Sequence, residues 1–211
     1  MLTLYGESNW DSPWVFTAYV ALWEKGLPFD VQILELSKGQ ARTEHFRDRS
    51  LTSRVPTLIH DGFQLSESSA IVEYLDEAFP APEHPRLLPE TLRERARARQ
   101  IMGWLRTDLQ ALREERPTTS VFWKQDVRPL GDAACVARDK LVFVCERLLP
   151  ESGDNPFSEP CVVDAELALA LHRLILNGDP IPARVERWAR GVWQRASVRA
   201  FVERERPPQP R

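Results

Sequence analysis

The sequence predicts two unlike halves, a small mixed α/β layer over residues 1–80 and an all-helical bundle over residues 90–211. Three observations carry that reading. In "TLIHDGFQL" (57–65) an Asp61-Gly62 pair sits between two apolar-rich runs, the signal of a type I′ β-hairpin. On the N-terminal side of that hairpin, strand and helix patterns alternate. On its C-terminal side, "PAPEHPRLLP" (80–89) crowds four prolines into ten residues, and beyond it every patterned segment has helical spacing.

Each element follows from local chemistry. "LTLY" (2–5) reads as a short apolar strand. "SPWVFTAYVALWEKG" (12–26) reads as a helix: Pro13 fits the first position, Lys25 suits the negative C-terminal end, and Gly26 fits just past it. "FDVQIL" (29–34) alternates like a half-buried strand. A less regular segment follows, then the hairpin. "ESSAIVEYLDEAF" (67–79) puts Ala70, Ile71, Tyr74, Leu75 and Ala78 on one helical face. The order β-α-β, then β-β-α, is that of a thioredoxin-like layer, and its first two strands should be parallel.

Residues 81–89 read as a linker between domains. After it, Ala98, Ile101, Met102, Leu105, Leu109 and Leu112 recur at helical spacing and predict one helix over 90–116. Further helices are predicted over 132–149, 163–176 and 181–205, the last interrupted near Gly191. The 163–176 segment is apolar nearly all round, as the buried centre of a bundle is.

Composition narrows the function classes. Hydrophobic residues make up 43% and charged residues 28%, with both signs mixed, enough apolar side chain for a core. Residues 1–80 carry 6 Lys/Arg against 12 Asp/Glu, which disfavours a nucleic-acid partner. No apolar run approaches 18 residues, and the N-terminus has no basic region before an apolar core, so neither a membrane span nor a secretion signal is expected. Cytoplasm is the default. The three cysteines, Cys135, Cys145 and Cys161, form no CxxC pair and should be buried or half-buried thiols. The four histidines are scattered without ligand spacing, so no metal site is expected, and no GxGxxG, P-loop, HExxH or GxSxG occurs.

Four stretches remain that can carry chemistry, and each admits a structural reading. Ser12, before Pro13 and an apolar run, is a helix cap or a reactive hydroxyl. "RVP" (54–56) is a proline at a strand start, for which the residues alone predict a trans bond, or part of a ligand loop. "SESSA" (66–70) is a helix start, or an anion site with an acid beside it. "REERP" (113–117) is a solvated charged face, or a cluster over a cleft between the halves.

Taken together, "RVP" before the hairpin and "ESSAIVEYL" after it resemble the glutathione signature of the cytosolic glutathione S-transferase family. The resemblance covers nearly the whole chain. "CVVDAELAL" (161–169) falls where the family has a Ser/Thr-x-x-Asp capping box, with Cys161 in the hydroxyl place and Asp164 kept. "ARARQIMGWLRTDLQALREERPT" and "WQRASVRAF" look like the family's bacterial serine-type, YfcF-like group, of transferases that are also peroxidases.

The resemblance implies roles. Glutathione would be the co-substrate, without a metal. Val55 would bind its cysteinyl part through backbone groups, on a loop shaped by a cis Pro56. Glu67 and Ser68 would hold the γ-glutamyl ammonium and carboxylate, and Arg54 or Lys38 would neutralise the glycine carboxylate. Ser12 would be the catalytic serine that stabilises the thiolate, with Ser8 as a less well-placed competitor. The thiolate would attack an electrophilic small molecule or a peroxide in a cleft that Trp10, Trp14 and Phe122 could line. Asp11 would disfavour a thiolate unless it points away or caps the helix on its far side. A homodimer is implied.

Two other classes share the fold. A non-catalytic binding or dimerisation module would bind glutathione without turnover, or not bind it at all. A thiol–disulfide oxidoreductase needs a local thiolate, and residues 1–134 contain no cysteine.

Overall fold

A computed structural model describes residues 1–151 and 155–209. Its chain divides into two compact units. The first comprises Met1–Leu87 and the segment from Ala200 onward; the second is Leu88–Arg199.

In the first unit, β1 (Leu2–Glu7), α1 (Pro13–Glu24) and β2 (Phe29–Leu34) form a parallel βαβ unit. Two 3-10 turns (Leu36–Lys38 and Gln40–Arg42) and a short α2 (Glu44–Arg47) occupy the less regular segment. The hairpin β3 (Thr57–His60) and β4 (Phe63–Ser66) turns at Asp61 (φ 48) and Gly62 (φ 89), both in the left-handed region a type I′ turn requires. Helix α3 (Ser68–Ala78) follows. The sheet order is β2-β1-β3-β4, with β3 antiparallel to both its neighbours. This is the thioredoxin-like layer predicted.

Strand β1 runs two residues past the predicted "LTLY". Gly6 permits this, because a Cβ there would lie 3.2 Å from Val15 Cγ1 of α1. Helix α1 is buried from Val15 to Leu22. Lys25, beyond its end, is fully enclosed and bonds Asp76 Oδ1 at 3.0 Å and the Phe79 carbonyl at 2.7 Å. Asp76 Oδ1 also accepts the Leu87 N–H at 2.7 Å. The proline-rich stretch is thus folded onto the first unit through Leu87, which is fully buried.

The second unit is all helical: α4 (Leu92–Thr107), α5 (Gln110–Glu115), α6 (Thr119–Phe122), α7 (Asp132–Leu148), α8 (Val162–Ile175) and α9 (Ala183–Trp193). A last helix, α10 (Ala196–Val202), leads into the segment that clusters with the first unit. The predicted break near Gly191 falls later, between α9 and α10.

The single helix predicted over 90–116 is instead two, broken at Asp108 and Leu109. The Arg113 guanidinium donates to the carbonyls of Leu105 and Arg106, at 2.8 and 3.2 Å, which the break deprives of helical donors. This also corrects the reading of "REERP" as a solvated face. Arg116 is 2% exposed and bonds Asp179 through Nε at 2.7 Å and Nη2 at 3.0 Å, while Glu115 accepts the Gly131 N–H. The cluster ties the second unit together.

Helix α8 is buried from Val162 to Leu174, as its apolar pattern predicted. Its polar residues each have a partner. Asp164 bonds Arg195, Glu166 bonds Arg106, and Arg173 donates to the Arg116 carbonyl. The capping box forms with Cys161 at its head, since Asp164 Oδ2 accepts the Cys161 N–H at 2.9 Å. Burial pushes the Cys145 thiol up to about 12 and Cys161 well above the ordinary range, so both are inert thiols near neutrality.

His172 is buried, stacks on Trp193 at 3.9 Å, and donates from Nδ1 to the Ala168 carbonyl at 2.7 Å. Burial lowers its pKa from 6.5 to about 4. The unfolded chain takes up this proton near pH 6.5 and the folded chain only near pH 4, so acidification through that window favours unfolding. The expected loss is about 3 kcal/mol at 1.36 kcal/mol per unit. Denaturant titrations at pH 7 and pH 4.5 should show it, and a His172→Phe variant should lose most of that difference. An equal pH dependence in the variant would contradict the assignment.

Candidate functional site in the N-terminal unit

Strand register assembles the candidate residues at one end of the sheet. Tyr5 of β1 faces Thr57 of β3, and Thr57 faces Ser66 of β4. The chain leaving β1 toward Ser12, the Val55-Pro56 dipeptide entering β3, and the Glu67-Ser68 pair leaving β4 therefore lie at the same end of the sheet. Side chains staple the loop before β3. The Thr57 hydroxyl lies 2.7 Å from both Ser50 Oγ and the Arg54 carbonyl, and Thr52 Oγ1 donates to Ser66 Oγ at 3.0 Å. The Val55–Pro56 bond is cis.

Ser12 is the N-cap of α1. Its Oγ accepts the Val15 N–H at 3.3 Å, and its carbonyl accepts the Phe16 N–H at 3.0 Å. Its own N–H donates to Glu7 Oε1 at 3.0 Å. The hydroxyl proton is left without an acceptor among the described residues. Ser12 lines a groove of about 340 Å³ with Leu36, Gly39, Arg42, Arg54 and Val55.

Two guanidiniums and no carboxylate line this groove, although the unit as a whole is acidic. Of the two cations considered from sequence, Arg54 is in the groove. Lys38 is not among the lining residues; it pairs with Glu35 at 2.6 Å and is 67% exposed. Arg42, which lines the groove, lies in a 3-10 turn that no motif marks, so sequence reasoning missed it. Ser8 is also absent from the lining; its N–H continues the β1–β2 ladder to the Leu34 carbonyl.

Glu67 stands just before α3 with φ 72, a left-handed conformation rare for a side-chain-bearing residue, and its side chain is exposed. Ser68 opens α3 and is 4% exposed. Neither lines the groove that holds Ser12.

The turn before Ser12 holds a group that the sequence did not single out. Glu7 ends β1, is 4% exposed, and accepts the N–H groups of Trp10, Asp11 and Ser12 at 2.7, 3.0 and 3.0 Å. Burial pushes its carboxyl above the usual range, and the Ser12 and Trp10 N–H donors pull it back. Asp11 and Glu7 both act electrostatically on Arg206. Trp10 belongs to the core rather than to a cleft wall: it is 7% exposed and packs edge-on against Tyr19 and Phe201. Trp14, in α1, and Phe122, in α6, are half-buried.

Comparison with known proteins identifies the family. Residues 11–78 match the family model for the glutathione S-transferase N-terminal domain, and residues 91–205 that for the C-terminal domain. The chain belongs to the glutathione S-transferase family. A glutathione transferase homolog from Burkholderia (strain BGR1), solved with bound glutathione, shares 38% identity over 96% of each chain with a TM-score of 0.78. A glutathione S-transferase from Rhodospirillum rubrum F11 shares 25% identity over 100% of this chain and 97% of that one, with a TM-score of 0.74. Mouse glutathione S-transferase theta-3 is 32% identical over 112 residues, 53% of this chain and 44% of that protein. The match to theta-3 thus spans less than half of that relative's length. No helix among the described residues is long and apolar enough to cross a membrane, and no group of three or more His, Cys, Asp or Glu there is placed to hold a metal ion.

Proposed function

We propose that this protein is a glutathione transferase in which Ser12 stabilises the thiolate of bound glutathione. The observation that carries the reading is the capped serine itself: its acceptor side is engaged by Val15, its proton has no acceptor among the described residues, and it lines a groove with Arg42, Arg54 and Val55. The groove suits an anionic tripeptide, because its charged lining is wholly cationic. Glutathione, when bound, supplies the thiolate nucleophile.

The residues have distinct tasks in this reading. Ser12 donates its hydroxyl proton in a hydrogen bond and does not act as a base. Val55 offers backbone groups to the cysteinyl part. Arg54 and Arg42 meet the glycine carboxylate, and Glu67 and Ser68 take the γ-glutamyl ammonium and carboxylate at the neighbouring sheet corner. A hydrogen bond to a charged group is worth roughly 1.5–3 kcal/mol. A helix N-terminus adds up to about 2 kcal/mol. Desolvation subtracts from both. A net gain of roughly 1–3 kcal/mol lowers a thiol pKa by about one to two units from about 8.5. Thiolate is then a large fraction near neutrality.

Peroxidase activity, YfcF-like serine-type chemistry, a cytoplasmic location and a homodimer belong to the same reading. The bacterial relative with bound glutathione supports glutathione as the co-substrate, and the other parts rest on the resemblance of the chain's signature residues to the serine-type group. The decisive experiment is calorimetry with glutathione followed by turnover of an aryl halide and an organic peroxide. Binding without turnover of either would favour the non-catalytic module. Ser12→Ala should lower kcat at least about tenfold, the loss of roughly one hydrogen bond to charge, with little change in glutathione affinity. Full turnover in that variant would sink the serine assignment.

A further inference from the structure

The turn that delivers Ser12 to the start of α1 is held from two sides by charged side chains. Trp10 sits at its centre with φ 53, a conformation that is costly for a bulky residue and persists only where surrounding groups impose it. From the sheet side, Glu7 gathers the consecutive N–H groups of Trp10, Asp11 and Ser12. Three donors converging on one side chain suit an ionised carboxylate, which only accepts. From the other side, Arg206 Nε donates to the Trp10 carbonyl at 3.0 Å. Its remaining nitrogens bond the carbonyls of Phe201, Val202 and Arg204, so the guanidinium is itself fixed. Arg204 lies 4.0 Å above the Trp10 ring and donates to the Tyr19 hydroxyl at 3.1 Å. The turn thus has its N–H groups tied to the end of β1 and its Trp10 carbonyl tied to the C-terminal segment.

We propose that Glu7 and Arg206 are a positioning pair for the Ser12 hydroxyl, holding the Trp10–Ser12 turn so that this hydroxyl meets the glutathione sulfur. The inference rests on the reading of Ser12 given above. Neither residue touches the substrate; both act through Ser12. Glu7 binds the Ser12 N–H directly, so a change in that carboxylate shifts the serine backbone. Arg206 carries the positive charge that Glu7 and Asp11 face in this turn, so the two acids do not repel a developing thiolate unopposed.

The test is a cycle of Glu7→Gln and Ser12→Ala, singly and together, in the full chain. Three quantities are read: glutathione affinity by calorimetry, the pKa of the bound thiol from thiolate absorbance, and kcat with an aryl halide. In Glu7→Gln the loss of a nearby negative charge favours the thiolate, but the displaced Ser12 hydroxyl weakens its hydrogen bond to it by more, so the bound-thiol pKa should rise by about one unit and kcat should fall about tenfold. Affinity should stay within about twofold, because the affinity-bearing groups are untouched. Adding Glu7→Gln to Ser12→Ala should change thiol pKa and kcat no further. Faster amide exchange at Trp10, Asp11 and Ser12 in Glu7→Gln should accompany the loss. An unmoved thiol pKa in Glu7→Gln, or the same fractional loss with and without Ser12, would overturn the positioning role. An unmoved thiol pKa in Ser12→Ala would instead sink the serine reading and the inference with it. If Glu7→Gln does not fold, Arg206→Gln carries the same test with a thiol-pKa rise in the same direction and a loss of about threefold in kcat. No change in that variant would likewise overturn the pair.

Discussion

Lys25→Met is expected to destabilise the protein by about 3–5 kcal/mol, the usual cost of removing one partner from a buried ion pair. Lys25 is fully enclosed and Asp76 is 5% exposed, so neither charge can turn to water. Removal of the ammonium takes away the cation that faces the buried carboxylate, which keeps the Leu87 N–H, and strips the Phe79 carbonyl of its Lys25 donor. A loss of this size is a large share of a typical 5–15 kcal/mol. It should appear as a fall in Tm of roughly 6–20 °C. The double variant Lys25→Met/Asp76→Leu separates charge from packing. It should recover much of the loss, because an apolar pair needs no desolvation, yet retain roughly 1–3 kcal/mol for the orphaned Leu87 N–H. Single and double variants of equal stability would show that the pair is not coupled.

The second large effect is at Asp164. Alanine there removes the acceptor of the Cys161 N–H and the partner of Arg195 together. Burial already pushes this carboxyl above its usual range, with Arg195 pulling it back, so the ionised group depends on its partner. Arg195 is 21% exposed and can recover some hydration, which places the expected cost near the lower end of about 3–5 kcal/mol. Asp164→Asn keeps an acceptor for the Cys161 N–H and loses only the charge, so it should cost less than half as much. Thermal unfolding of the two variants measures the difference. Cys161→Ser should stabilise, because a hydroxyl accepts the Asp164 N–H better than a thiol does, by a few tenths of a kcal/mol up to about 1 kcal/mol. Equal stability of Asp164→Ala and wild type would refute the capping-box role.

The candidate site was legible where local chemistry and motif spacing coincide. Ser12 before Pro13 is a helix start on any reading, and "RVP" and "ESSA" flank a hairpin whose turn residues mark it. Register then brings both flanks to one corner, because Thr57 pairs with Ser66. Lys38 and Arg42 show where legibility ends. Both are cations in the same irregular segment, yet one pairs with Glu35 and the other lines the groove. Nothing in the residue types distinguishes them; the direction of two 3-10 turns does. "REERP" is a second case. Its charge density reads as solvated, but Arg116 is enclosed because Asp179, 63 residues later, reaches it.

By itself the sequence determined the elements whose signals are local: the Asp61-Gly62 hairpin, the Ser12-Pro13 helix start, the all-apolar α8, and the division into a mixed half and a helical half. These depend on backbone preferences and periodicity over a few residues, which the chain carries wherever it goes. Tertiary structure alone decided which charges became partners. Glu7 turned inward because three N–H groups waited there, and Arg206 reached Trp10 from 196 residues away. The break at Asp108 formed where Arg113 could satisfy the freed carbonyls. Burial raises the cost of an unpaired polar group, so the fold selects partners by proximity in space, and sequence distance carries no record of that choice.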